Sequence, residues 1–208
     1  MAIVINGSGT VTGLAVGGLP DGTVDAGTLA TNSVDSAELI DGAIDDSHFA
    51  TGARGLKEVD QWRLTTDFTG NAAPIASNLE RVDSDGFGKI GTGMSESSGI
   101  FTFPSTGVWK IEFIIATLYG GDNRYSLIKI HTTLDNSSYD TASSAYIGIN
   151  NVSNNWYGNG VVSFIFDVTD VSTHKCKFTV THEESGTTVR GNSDNNETHM
   201  TFIRLGDT

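Results

Sequence analysis

Over much of its second half the chain alternates apolar and polar residues with a period of two, and that pattern leaves few folds open. In residues 108–119, Trp109, Ile111, Phe113 and Ile115 share one face, with Lys110 and Glu112 on the other. Residues 126–134 place Ile128, Ile130, Thr132 and Leu134 together, and residues 161–168 place Val162, Phe164, Phe166 and Val168 together. The same reading puts Cys176, Phe178 and Val180 on one side of residues 175–181. At the end of the chain it sets Met200, Phe202 and Arg204 opposite Thr201, Ile203 and Leu205. Side chains alternate across a strand, so each segment predicts a β-strand with one buried face. The intervals are rich in Gly and Asn (residues 120–123, 150–155, 158–160 and 191–196), which supply positive-φ turn positions. Many short strands with such breaks predict an all-β fold, a β-sandwich or jelly roll. A helix is expected only over residues 55–63, where Leu56, Val59 and Trp62 stand three apart. The head domain is therefore placed at residues 62–208, with a junction at 54–61.

The first 53 residues are a different material. They hold seven acids and no Lys or Arg, and Phe49 is their one aromatic residue. All three tryptophans and all 12 basic residues lie later, so this leader cannot build a core of its own. It does carry a repeat. Val24-Asp25, Val34-Asp35 and Ile44-Asp45 are spaced by ten, as are Leu29-Ala30, Leu39-Ile40 and Phe49-Ala50. The aspartate of each unit suits the cap of a helical turn, and Asp35 with Glu38 has capping-box spacing. One such turn is far shorter than the ~12 residues an isolated helix needs. The aliphatics Val24, Leu29, Val34, Leu39, Ile44 and Phe49 are thus expected to bury themselves against sister chains in a trimeric shaft at residues 23–53. Upstream, residues 1–22 set Ile3, Ile5, Leu14, Val16 and Leu19 among small residues and end in a Pro20-Asp21-Gly22 turn signal. This reads as an extended attachment peptide that docks on another surface.

Charge and chemistry narrow the function. The net charge is −13, a poor match to a phosphate backbone, so nucleic acid is not expected as a partner. No apolar run is long enough to span a membrane, and the start lacks the basic region of a secretory signal. The one cysteine, Cys176, has no disulfide partner in the chain and reads as a small buried hydrophobe. The sequence lacks G-x-S-x-G, H-E-x-x-H and P-loop motifs; Gly7-Ser8-Gly9 and the glycines at 88–93 read as turns. Asp83-Ser84-Asp85-Gly86 lacks the rest of a calcium loop and reads as an Asp-Gly turn. Of the histidines, only His174 and His182 are placed to share a strand face. No catalytic residue, metal site or cofactor is predicted. The candidate contact surface is in the loops: Asn123, Arg124, Tyr125 and Asn155, Trp156, Tyr157 mix aromatics with amides, a combination suited to saccharide faces and polar protein contacts. The competing expectation is that Trp156 and Tyr157 open a strand and pack into a core or interface.

Two resemblances add to this. Gly99-Ile100-Phe101, then Pro104, Gly107 and Trp109, resemble the strand-turn-strand signature of the complement-head and tumour-necrosis-factor-like jelly rolls. The ending through Phe202, Leu205 and Gly206 resembles that family's last strand. The likeness implies a head that buries an aromatic-rich face at a threefold interface, with Trp109 in the buried aromatic place. The leader, with its Gly-Thr-Val-Asp repeats, is similar to the shaft and attachment regions of tailed-bacteriophage fibres. Together they imply a homotrimeric virion protein on the tail or capsid surface. Its N-terminus would dock on a tail adaptor, portal or capsid protein, and its head would contact a host cell-surface glycan or protein. The alternatives are capsid decoration or tail assembly without a receptor, and a polysaccharide depolymerase.

Overall fold

The computed structural model describes residues 4–5, 11–12, 55–150 and 156–208. The chain divides into two units, Met1–Ala50 and Thr51–Thr208. In the first, β1 (Val4–Ile5) pairs antiparallel with β2 (Val11–Thr12). The other shaft and docking residues named above (Ile3, Leu14, Val16, Leu19, Val24, Leu29, Val34, Leu39, Ile44 and Phe49) lie outside the described residues, as does the side chain of Ile5.

Among its described residues, the regular structure of the second unit is β-strand throughout. In chain order the strands are β3 (Val59–Leu64), β4 (Thr66–Thr69), β5 (Leu79–Arg81), β6 (Ser95–Ser97), β7 (Ile100–Thr102) and β8 (Gly107–Tyr119). They continue with β9 (Asn123–Thr133), β10 (Asp140–Ile149), β11 (Trp156–Val168), β12 (Lys175–His182), β13 (Thr188–Asn192) and β14 (His199–Gly206). The pairing is nested. β3 lies beside β14, β7 beside β12, β8 beside β11 and β9 beside β10. First thus meets last, and the order closes inward. The larger sheet contains β3-β14-β8-β11 and the smaller runs β7-β12-β9-β10, with β4, β5, β6 and β13 extending the edges. Nested antiparallel pairs split between two facing sheets make a jelly-roll β-sandwich.

The core is what the alternation predicts. Trp109, Ile111, Phe113, Ile115, Ile128, Ile130, Cys176, Phe178, Val180, Met200 and Phe202 are all buried. Aromatic rings join the sheets: Phe101 of β7 lies 5.4 Å from Phe178 of β12 and 5.1 Å from Phe202 of β14. Phe103 adds an edge contact with Trp109 at 5.2 Å. The turn before β8 shows why its glycine is needed. Gly107 has φ +138, and a Cβ there would fall 2.5 Å from both the Arg204 Nε and the Gly206 carbonyl. The same turn is tied to β14 by Arg204 Nε donating to the Thr106 carbonyl at 2.8 Å. At Asp85-Gly86 both residues have positive φ and Phe87 N–H donates to the Ser84 carbonyl, as in a type I′ turn.

Two expectations fail here. Residues 55–63 do not form a helix: Val59–Leu64 is β3, hydrogen-bonded to β14 on one side and β5 on the other. The three-residue spacing was incidental, since Leu56 is 45% exposed, and the pairing offered by β14 and β5 outweighs a weak local preference. Nor does Leu134 continue the buried face of β9. That strand ends at Thr133, and Leu134 is 65% exposed in the following turn.

Candidate functional site

The loops singled out from the sequence gather at one end of the sandwich, where β8 hands over to β9, β10 to β11 and β12 to β13. They do not form one surface. Asn123 is fully buried as the first residue of β9 rather than exposed on a loop. Its Nδ2 donates to Ser126 Oγ at 2.8 Å and its Oδ1 accepts from Glu184 N–H at 3.4 Å, so it fastens β9 to the β12–β13 turn. Arg124 projects outward and pairs with Glu183, whose carboxyl it holds below the usual range. Tyr125 is half-exposed on the outer face of the smaller sheet, edge-on to Tyr146 with ring centroids 5.8 Å apart. Trp156 and Tyr157 do open a strand, β11, but they stay exposed, Tyr157 at 65%. Asn155 lies outside the described residues. Tyr125 and Tyr157 therefore stand on different sheets.

Sequence reasoning missed Tyr119, the last residue of β8, whose ring is flanked by Gly121 and Gly186. A Cβ on these would stand 3.0 and 3.1 Å from ring atoms. Two glycines either side of one aromatic were the available signal.

The outer face of the larger sheet forms a second surface. Its register sets Ile114 between His199 and Val161, Glu112 between Thr201 and Ser163, and Lys110 between Ile203 and Ile165. Tyr157, Val161, Ile165 and Leu205 there are exposed, and the two charges between them are paired, Lys110 Nζ to Glu112 Oε2 at 2.8 Å. The exposed apolar groups thus run mainly along β11, at Tyr157, Val161 and Ile165, beside the paired charges of β8.

The one Ser–His contact among the described residues is Ser126 Oγ to His182 Nδ1 at 2.6 Å. Both residues are buried, and Asn123 donates to the serine from behind, so the hydroxyl donates to Nδ1 rather than facing solvent. Burial pushes His182 down to about 4, which keeps it neutral. His174, just before β12, and His182, at its end, are both buried in line with Cys176, Phe178 and Val180, but eight residues keep them apart: the His174 ring stacks on Phe166 at 5.6 Å, while His182 meets Ser126. Among the described residues no three His, Cys, Asp or Glu side chains group as metal ligands, and no helix is long and apolar enough to cross a membrane.

No protein-family model matches the chain, and no curated protein matches it in sequence. Among solved structures, crystal structures of murine APRIL at pH 5.0, 8.5 and 8.0 are similar, with TM-scores of 0.49, 0.47 and 0.47. Identity is 9%, 9% and 10%, and each match covers 71% of this chain and 98% of that chain. The likeness is one of fold alone.

Proposed function

We propose that the protein is a homotrimeric virion fibre. In this reading its leader docks on the particle and forms a short shaft, and its jelly-roll head contacts the host surface. The observation that carries the reading is the apolar outer face of the larger sheet, where Tyr157, Val161, Ile165 and Leu205 stand exposed. A soluble monomer rarely leaves such a band uncovered, and identical chains around an axis would cover it. The ten-residue repeat asks for the same arrangement, because its aliphatics need sister chains to bury them. Three heads on one shaft would then raise weak host contacts by avidity.

Light scattering on the purified full chain tests the assembly. A mass three times the 22.0 kDa of one chain is expected, and a single-chain mass overturns the trimer. Host contact is tested by adhesion of fluorescent protein to bacterial cells before and after their surface polysaccharide is stripped. No adhesion to any envelope type overturns that part.

A further inference from the structure

The outer face of the smaller sheet concentrates positive charge on an acidic protein. Outward positions of β9 and β12 carry Lys129, His131, Lys175 and Lys177, and the register sets Lys177 opposite His131 and Lys129 opposite Thr179. Burial, Lys177 and Lys129 hold His131 below its usual value, so the positive charge rests on Lys129, Lys175 and Lys177, which are diagonal or alternate neighbours on the face rather than directly opposed. Most other basic groups are paired: Arg63, Arg81, Arg124, Arg190, Arg204 and Lys110 each meet a carboxylate, while Lys89 Nζ donates to the Gly91 and Thr92 carbonyls. Among the described residues, Lys129, Lys175 and Lys177 form no ion pair. Lys177 Nζ instead lies 4.1 Å above the Tyr139 ring, and Lys175 Nζ donates to the Val171 carbonyl at 2.9 Å. Of the carboxylates at the rim, Asp135 is engaged by its own turn, accepting from Ser137 N–H, Ser138 N–H and Thr133 Oγ1, and Glu183, beside Tyr125, is paired with Arg124.

The rest of the face has a second chemistry. The exposed Ser144 stands beside Lys129; the next outward position holds Leu127 between Tyr146 and the exposed Thr181, and Tyr125 beyond it meets Tyr146 edge-on. Cationic groups, hydroxyls and tyrosine rings thus follow one another over residues 125–131 of β9, a span of roughly 20 Å.

The geometry points to an anionic polysaccharide as the occupant of this face, with Lys129 and Lys177 meeting its carboxylate or sulfate groups and Tyr125 and Tyr146 meeting its sugar rings. This names the surface and ligand class of the host contact proposed above and rests on that reading. Charge complementarity selects the ligand: the positive face sits on a chain of net charge −13. A nucleic-acid duplex, dense in phosphate, would meet that long-range repulsion over a much wider footprint, whereas a single flexible chain can lie within the face. The face is on the opposite sheet from the apolar band, so trimer contact and ligand binding do not compete.

The test is binding of the full chain to dextran sulfate and hyaluronate, with neutral dextran and a DNA duplex as comparators. Binding to the two anionic polysaccharides is expected to weaken about tenfold or more from ~50 mM to ~500 mM salt. The Lys129→Gln/Lys177→Gln variant should lose about tenfold with its trimer mass and melting temperature unchanged, and Tyr146→Ala should weaken binding without changing the salt slope. No binding by the parent protein, equal binding by the double-lysine variant, or tighter binding to DNA overturns the inference. Adhesion to cells that survives in the double-lysine variant also overturns it while leaving host contact standing. Lysine-dependent polyanion binding without cell adhesion supports this face and refutes the host-contact reading instead.

Discussion

Replacing Asp60 by alanine tests whether the head is pinned by a buried carboxylate at its first strand. Asp60 is 1% exposed. Its Oδ2 accepts from Trp62 Nε1 at 2.9 Å and Met94 N–H at 2.8 Å, and its Oδ1 accepts from Gln61 N–H and Arg81 Nε, both at 3.0 Å. Arg81 in turn lies 4.9 Å above the Trp62 ring and donates to the Met94 carbonyl. One side chain thereby joins β3, β5 and the segment leading to β6. Alanine would orphan the Met94 N–H and the Trp62 indole N–H, at about 1–3 kcal/mol each. Removing one partner of a buried ion pair typically costs about 3–5 kcal/mol, but the Arg81 side chain is 34% exposed, so water recovers part of that charge term. The expected loss is about 4 kcal/mol. At roughly 2–4 °C per kcal/mol for a domain of this size, melting should fall by about 10 °C. The Asp60→Asn variant keeps the volume but turns an amide N–H₂ toward one pair of donors, so its stability should fall between parent and alanine. The assay is thermal and urea unfolding of D60A, R81A and the double variant. A loss under about 1 kcal/mol for D60A, or strict additivity with R81A, would refute the network as a stabilising unit.

Other expectations follow from the same packing. Because burial holds His182 at about 4 in the folded protein, against about 6.5 unfolded, the unfolded chain binds the proton more readily between those values. Stability is therefore full above pH ~6.5 and lost as pH falls toward 4, by up to roughly 3 kcal/mol; urea midpoints at pH 7 and pH 5 measure it, and His182→Asn should flatten the slope. On β11, a Cβ at Gly160 would stand 2.4 Å from Ile147 Cδ1, so Gly160→Val should cost about 1–3 kcal/mol in urea unfolding. A neutral effect there would show that β10 and β11 can move apart.

Local pattern was enough to assign the buried faces of β8 and β12; on β14 it separated Met200 and Phe202 from Thr201 and Ile203 without saying which pair faces inward, and the packing decided that. The pleat fixes which side chains point together, and Trp109, Cys176 and Phe178 lie where alternation sends them. The leader's distinct composition, without tryptophan, tyrosine, lysine or arginine, is likewise a property of the sequence alone. Tertiary structure decided what depends on neighbours distant in sequence. Residues 59–64 became a strand because β14, more than 130 residues later, offered them a ladder. Asn123 became a buried brace because Ser126 and Glu184 surround it. Tyr125 and Tyr157 parted onto different sheets, while Lys129 and Lys177, 48 positions apart, came onto one face of paired strands. Periodicity records the side of a strand on which a residue lies; it carries no record of the strand that will lie beside it, because that choice is made by packing two sheets around one core.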